Sequence, residues 1–243
     1  MKEKLIGVIG GMGPMASQLF YRMVTEMTDA KTDQEHLRML ILSDTGMPDR
    51  TEAILSGEHG AVSSRLLEDA KLLERCGCDA IAVTCNTAHF FIDQIADALT
   101  VPVIHMIRET LTVLQEENRD RTKPLRAAVL ATDGTIRAGL YQKELEYAGI
   151  EPYLPSEAAQ RKIMSQIYDR VKAGLPWERS SWMEIEQELR EAGCDRALLA
   201  CTELSLIGYD NHLPDLYLDP MQVLAQRVIT CAGHRIRLSQ EEA

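Results

Sequence analysis

ERCGCDAIAVTCNT at 74–87 and REAGCDRALLACTE at 190–203 are two versions of one segment, and together they decide how the chain is read. Superposing Gly77-Cys78-Asp79 on Gly193-Cys194-Asp195 brings Cys85 onto Cys201, at a constant offset of 116 residues. Each version leaves a charged, helix-like stretch through a glycine-containing turn, enters an apolar strand and stops on a cysteine. A polar pair follows, Asn86-Thr87 in one and Thr202-Glu203 in the other. Two matched thiols at the ends of two matched strands point to a symmetric active site.

Outward from this segment, apolar runs alternate with amphipathic stretches. Strands are predicted near 4–9, 38–43, 79–84, 101–104, 126–131, 151–154, 196–200 and 215–218. Helices are predicted near 14–30, 59–76, 88–99, 106–118, 135–148, 157–173, 180–192 and 220–232. That alternation indicates an α/β protein with parallel sheets. The polar stretch EENRDRTKP (116–124) reads as a linker. Beyond it, PLRAAVLATDGT (124–135) parallels KLIGVIGGMGP (4–14), each an apolar strand running into a turn and a helix. The second half therefore repeats the first as a duplicated domain. The expected fold is two similar lobes, each a parallel sheet flanked by helices, with the active site in the cleft between them. The expected limits are 1–100 plus 209–243 for the first lobe and 101–208 for the second. On this reading 101–104 crosses to the second half, and the chain from about 209 returns to the first.

Open parallel sheets bind ligands at the carboxyl ends of their strands, where Cys85 and Cys201 fall. Cys78 and Cys194 repeat as well, but they precede their strands, at the opposite edge. Duplication alone can preserve a structural cysteine, so position separates the two pairs.

Composition narrows the function classes. With 45% apolar and 26% charged residues the chain reads as a soluble globular protein. A net charge of −11 argues against nucleic acid or an anionic membrane surface as partner. No run approaches the roughly 20 apolar residues of a membrane span. The opening MKEKLIGVIGG reads as a strand and lacks the apolar core of a secretory signal, so a cytoplasmic location is expected. The six cysteines include no Cys-x-x-Cys pair, which favours reduced thiols and no metal site.

Chemistry-bearing candidates cluster at the ligand edge. A thiol placed like Cys85, ahead of a helix, meets free backbone N–H groups that favour thiolate. The turn Gly10-Gly11-Met12-Gly13-Pro14 has two readings. Gly11-x-Gly13-x-x-Ala16, with Asp44 ending the next strand, loosely fits a dinucleotide fingerprint and an NAD-dependent enzyme. Alternatively, Pro14 opens a helix and the turn offers N–H groups to a carboxylate. Arg50, in the loop Pro48-Asp49-Arg50-Thr51, has the planar fork that matches a carboxylate. Lys172 closes a predicted helix. Arg161, Lys162 and Arg170 read as solvated surface charges, and His89 and His105 as structural histidines.

With GGMGP, PDRT, VTCNTAH, LATDGT, VKAG and ACTELS in this order, the chain resembles the cofactor-independent aspartate/glutamate racemase family from about residue 5 to beyond 230. Glutamate racemases of that family normally carry Asp-Ser-Gly near the N-terminus and Cys-Thr-His at the second cysteine. Gly11-Met12-Gly13 and Cys201-Thr202-Glu203 resemble the aspartate racemase branch instead. The resemblance implies Cys85 and Cys201 as the two catalytic acid/bases on opposite faces of the substrate α-carbon. It implies Arg50 and Lys172 as holders of substrate carboxylates. Gly11, Met12, Asn86, Thr87, Thr132, Thr202 and Glu203 would bind the rest of a small acidic amino acid. No cofactor and a homodimer are implied. Glutamate or a broader acidic specificity stays open, as does a non-catalytic amino-acid sensor.

Overall fold

The structure, a computed structural model, describes residues 3–237. The first half runs β1 (Leu5–Gly10), α1 (Pro14–Met27), β2 (Arg38–Ser43), α2 (Arg50–Ser56), α3 (Gly60–Arg75), β3 (Ala80–Val83), α4 (His89–Ile95) and β4 (Val103–Ile104). The second runs α5 (Met106–Asn118), β5 (Arg126–Ala131), α6 (Asp133–Ala138), α7 (Gln142–Tyr147), β6 (Glu151–Tyr153), α8 (Glu157–Ser165), α9 (Arg179–Glu191), β7 (Arg196–Ala200), α10 (Thr202–Asn211), β8 (Tyr217–Leu218) and α11 (Pro220–Cys231). The described strands form two four-stranded parallel sheets, ordered β2-β1-β3-β4 and β6-β5-β7-β8.

The repeated Gly-Cys-Asp builds the same joint twice. Gly77 (φ +83°) and Gly193 (φ +68°) adopt the left-handed conformation that ends α3 and α9. Asp79 Oδ2 then accepts from Leu5 N at 2.8 Å, and Asp195 Oδ2 accepts from Arg126 N at 2.9 Å. Each aspartate ties the start of its strand to the start of the neighbouring β1 or β5. Cys78 is buried beneath its joint, and Cys194 is half-buried beneath the other. Burial above all pushes both thiols up, that of Cys194 to about 11. They are packing groups at the edge away from the cleft.

Both faces of each sheet are covered, which accounts for strands that are nearly continuous apolar runs. Ile6 and Val8 face Phe20, Met221 and Val228, while Ile9, Ile81 and Val83 face Leu66 and Phe91. In the second lobe Leu130 and Leu199 face Ile163 and Trp182, while Val129 and Leu198 face Leu114 and Leu145.

The exchange between lobes comes one element later than the sequence suggested. Residues 103–104 do not cross: Val103 pairs with Ile81, and Ile81 N donates to Pro102 O at 3.0 Å, keeping β4 in the first sheet. Likewise β8 stays in the second sheet, Tyr217 pairing with Ala197. The helices that follow do the crossing. α5 buries Ile107, Leu111 and Leu114 in the second lobe, and α11 buries Met221, Leu224 and Val228 in the first. His105 and Asp219 cap these two helices, accepting from Arg108 N at 3.4 Å and Met221 N at 2.9 Å. We propose lobe limits at these two caps.

The predicted helix at 157–173 continues from α8 into a π-helical turn, Gln166–Val171. Two helices absent from the sequence reading, α2 and α10, start at the cleft. α2 packs across it on α6, and Gly134 is what allows this contact. A Cβ at Gly134 would lie 2.7 Å from Thr51 Cα. Overpacking of that kind costs about 1–3 kcal/mol, so Gly134→Ala should lower stability by that amount in denaturant titration. Gly60→Ala, where an added Cβ meets nothing within 4 Å, should cost nothing. Equal stability of the two variants would show that α2 and α6 separate freely.

Candidate active site

Each lobe delivers one cysteine to a single small cavity of about 10 Å³. The first lobe also contributes Met12, Arg50, Asn86 and Thr87, and the second Thr132, Lys172, Thr202 and Glu203. A space this small barely reaches the roughly 10–15 Å³ that one water needs. An outer cavity of about 340 Å³ adjoins it and shares Met12, Asp49, Arg50, Lys172 and Glu203 with it. Those residues line both spaces. Gly11 lines the outer cavity alone.

The two thiols sit in opposite electrostatic settings. Cys201 is the residue immediately before α10, and its Sγ–H donates to Glu203 Oε2 at 3.0 Å. Burial first, and then that carboxylate, push the thiol well above its ordinary range, against the pull of Lys172. Cys85 lies instead beside the Arg50 guanidinium. Burial works against the charge on Arg50, but the Cys85 sulfur, then Asp49 and Glu203, outweigh it and hold the group above its usual value.

Arg50 opens α2, whose cap is Asp49, accepting from Glu52 N at 2.9 Å. Its fork is partly committed: Nη1 donates to Pro48 O at 3.0 Å and Nη2 to Met12 O at 3.1 Å, while Nε is buried without a partner. Met12 thus holds Arg50 through its carbonyl.

Lys172 follows the π-helical turn, and its N–H bonds Ile167 O at 3.0 Å, five residues back. This wider turn places Tyr168 and Lys172 together at the cleft, Nζ standing 4.1 Å from the Tyr168 ring centre. Desolvation lowers the Lys172 pKa, but Glu203 and then Cys201 raise it further, so the net shift is upward. Tyr168 also reaches across the cleft, donating to Asp49 Oδ2 at 3.2 Å.

Hydroxyls close the other wall. Thr87 Oγ1 lies 3.2 Å from Thr132 Oγ1 and 2.9 Å from Thr135 Oγ1 of the other lobe. Asn86 Nδ2 is buried there with no acceptor. Thr202 and Glu203 open α10, so their N–H groups belong to the unpaired first turn of a helix, a ready anion site.

His89 and His105 are structural, in line with the sequence reading. His89 Nδ1 is 2.8 Å from Cys85 O, and Nε2 accepts from Met106 N at 3.1 Å, so the ring is a neutral tie between β3 and α5. Burial lowers it to about 4 and lowers His105 to about 2. Asp44 is not free for a ribose. Arg65 clasps it at 2.6 and 3.0 Å and Gly46 N donates to it at 3.0 Å. Gly11 (φ +85°) is needed because a Cβ there would lie 2.5 Å from the Asp44 backbone. The turn's glycines thus serve close backbone approach.

Comparison with known proteins decides the class to which this cleft belongs. The Asp/Glu/Hydantoin racemase family model matches residues 9–228. The chain belongs to this racemase family. Racemases are isomerases, and the family is described by racemases of aspartate, glutamate and hydantoins. The racemase resembles the solved aspartate racemase of Picrophilus torridus, 30% identical with a TM-score of 0.79 and 96% of each chain covered. The broad specificity amino-acid racemase RacX of Bacillus subtilis is 28% identical over 209 residues, 84% of this chain and 87% of that one. An aspartate racemase homologue from Pyrococcus horikoshii shares the fold with a TM-score of 0.75 at 23% identity.

In this racemase the structure gathers the predicted residues around the inner cavity, with one change of place. Gly11 stands outside, while Glu203 lines the cavity and also accepts from Cys201. The sequence reading passed over Asp49, Tyr168, Tyr141 and Thr135. Asp49 had a signal, since Asp-Arg-Thr-Glu at 49–52 is a capping sequence that would have revealed α2. Glu203 raises the Cys201 pKa, so Glu203→Gln should let that thiol ionise at lower pH. Titration of the ultraviolet thiolate absorbance should show the upper step moving down by about one pH unit, worth about 1.4 kcal/mol. An unmoved step would mean the carboxylate does not act on the thiol.

Proposed function

We propose that this racemase interconverts L- and D-aspartate by a two-base mechanism at Cys85 and Cys201, without pyridoxal. The supporting observation is the placement of one thiol from each lobe on a single buried cavity, each beside a group of opposite charge. Arg50 is a countercharge for thiolate at Cys85, and Glu203 holds the proton on Cys201.

In one direction the Cys85 thiolate takes the α-hydrogen as a proton. The electron pair left on the α-carbon spreads into the α-carboxylate. Cys201 then gives its proton to the opposite face of the same carbon. Configuration inverts, Cys85 ends as thiol and Cys201 as thiolate, and the enantiomer runs the sequence backward. An α-amino acid is a weak carbon acid, so charge developing on its carboxylate needs donors already in place. Asn86 Nδ2, the Thr87 and Thr132 hydroxyls and the first-turn N–H groups of α10 supply them. Exclusion of water from so small a site strengthens each of these interactions.

Arg50 and Lys172 are the cations for a side-chain carboxylate. Aspartate and glutamate differ by one methylene, worth only about 1–3 kcal/mol in a pocket. A broader range of acidic amino acids is the second reading. It is favoured by the similarity to RacX and by the commitment of Arg50 Nη1 to the Pro48 carbonyl. Among the described residues no helix is long and apolar enough to cross a membrane. A cytoplasmic homodimer completes the proposal, on family resemblance.

Proton NMR in D2O with L- and D-aspartate and L- and D-glutamate, and no added cofactor, tests the assignment. The α-proton signal of aspartate should vanish from either enantiomer, and glutamate should exchange more slowly. Cys85→Ser and Cys201→Ser should each lower racemisation by at least about a thousandfold, as loss of one member of a catalytic unit does. No exchange with any of the four would reject the acidic substrate. Full activity in either variant would reject the two-base assignment.

A further inference from the structure

Asn86 has an unusual amide. Its side chain is buried, yet Nδ2 meets no acceptor. A buried donor left unpaired costs about 1–3 kcal/mol, and such a cost persists where a ligand supplies the missing acceptor. Asn86 lines the cavity, and its amide oxygen is held from the other lobe. Tyr141, the residue before α7, is fully buried, and its hydroxyl donates to Asn86 Oδ1 at 2.5 Å. Thr110 is the phenol's other hydrogen-bonding neighbour, and its own hydroxyl donates to Met106 O at 2.9 Å. Burial raises this phenol well above its usual range, so it remains a donor at working pH.

An amide has one accepting end and one donating end, and they point apart. With Oδ1 tied to the phenol, the NH2 group has to face the cavity wall shared with the Thr87 and Thr132 hydroxyls. Rotating the amide by half a turn would break the bond from the phenol proton to Oδ1 and put an oxygen where Nδ2 stands. We infer that Tyr141 is a positioning residue that fixes the Asn86 amide with its donor end toward substrate, making Asn86 a group for carboxylate and not for ammonium. The inference rests on the amino-acid racemase reading and sharpens it, since family resemblance alone leaves Asn86 with either end of the amino acid. Tyr141 is not itself a catalytic residue, because it acts on the substrate only through Asn86.

Tyr141→Phe keeps the buried ring and removes only the hydroxyl, so packing of the α5–α7 core is retained. Calorimetric titration of wild type and variant with L-aspartate and with succinate separates the possibilities. Succinate has the carboxylates of aspartate and lacks its ammonium. Kd for both should rise by about tenfold in Tyr141→Phe, the loss of a well-aimed bond to a charged group. KM for aspartate should rise in step, with kcat falling less than about threefold. Asn86→Asp, which puts an oxygen where Nδ2 stands, should abolish succinate binding while Tyr141 is intact. Unchanged affinity for both compounds in Tyr141→Phe overturns the inference. Weakened aspartate binding with unchanged succinate binding overturns it too, since Asn86 would then serve the ammonium. If wild type binds succinate but exchanges no amino-acid α-proton, the racemase reading fails while the amide assignment stands. A wild type that binds neither compound overturns both.

Discussion

Parallel strands reach their neighbours by crossing back over the sheet, so every strand in a lobe delivers its last residue to the same edge. That constraint makes the site. β3 and β7 occupy equivalent positions in two sheets of the same order, and the residues after them are Thr84-Cys85 and Cys201. Once α2 and α6 bring the carboxyl edges together, two thiols from distant parts of the chain must meet. The exchange of α5 and α11 between lobes reinforces this, because each lobe is covered on one face by a helix that enters from the other's edge strand.

A duplicated frame holds chemically unlike halves. The framework residues repeat: Gly77 and Gly193 end helices, Asp79 and Asp195 brace the central strands, and His105 and Asp219 cap the crossing helices. The residues that set charge around the sulfurs do not repeat. Arg50 stands beside Cys85, whereas Glu203 accepts the proton of Cys201. Two identical thiols in identical settings would carry the same charge. In the proposed two-base mechanism one sulfur takes a proton while the other gives one, and each turnover reverses the roles. Lys172 lies near Glu203 and Cys201 and lowers the cost of placing a negative charge on that side.

Much of the fold was legible because its signals are local. Apolar runs, the glycine turns after α3 and α9 and the repeated Gly-Cys-Asp fix β1, β3, β5 and β7 nearly to the residue. That Cys85 and Cys201 meet at one cavity was legible from their position on those strands, and Cys78 and Cys194 separated themselves by falling at the other edge. The missed features depend on contacts between segments far apart in sequence. β4 and β8 are two-residue strands whose allegiance is set by backbone pairing to Ile81 and Ala197, which no side-chain pattern records. Glu203 reads as a polar neighbour of Cys201 until α10 turns its carboxylate back onto the sulfur. Tyr141 reads as core until the structure shows its hydroxyl reaching Asn86 in the other lobe.

The account stands on two thiols working from opposite faces of one carbon, and the destination of solvent deuterium tests that directly. Under initial-rate conditions in D2O, starting from protiated L-aspartate, the D-aspartate formed should carry deuterium at the α-carbon, while unreacted L-aspartate keeps its hydrogen. Each face is served by its own sulfur, so the proton taken and the proton given are different. Deuterium accumulating in L-aspartate as fast as in D-aspartate would mean that one group serves both faces, and the two-thiol account would be wrong.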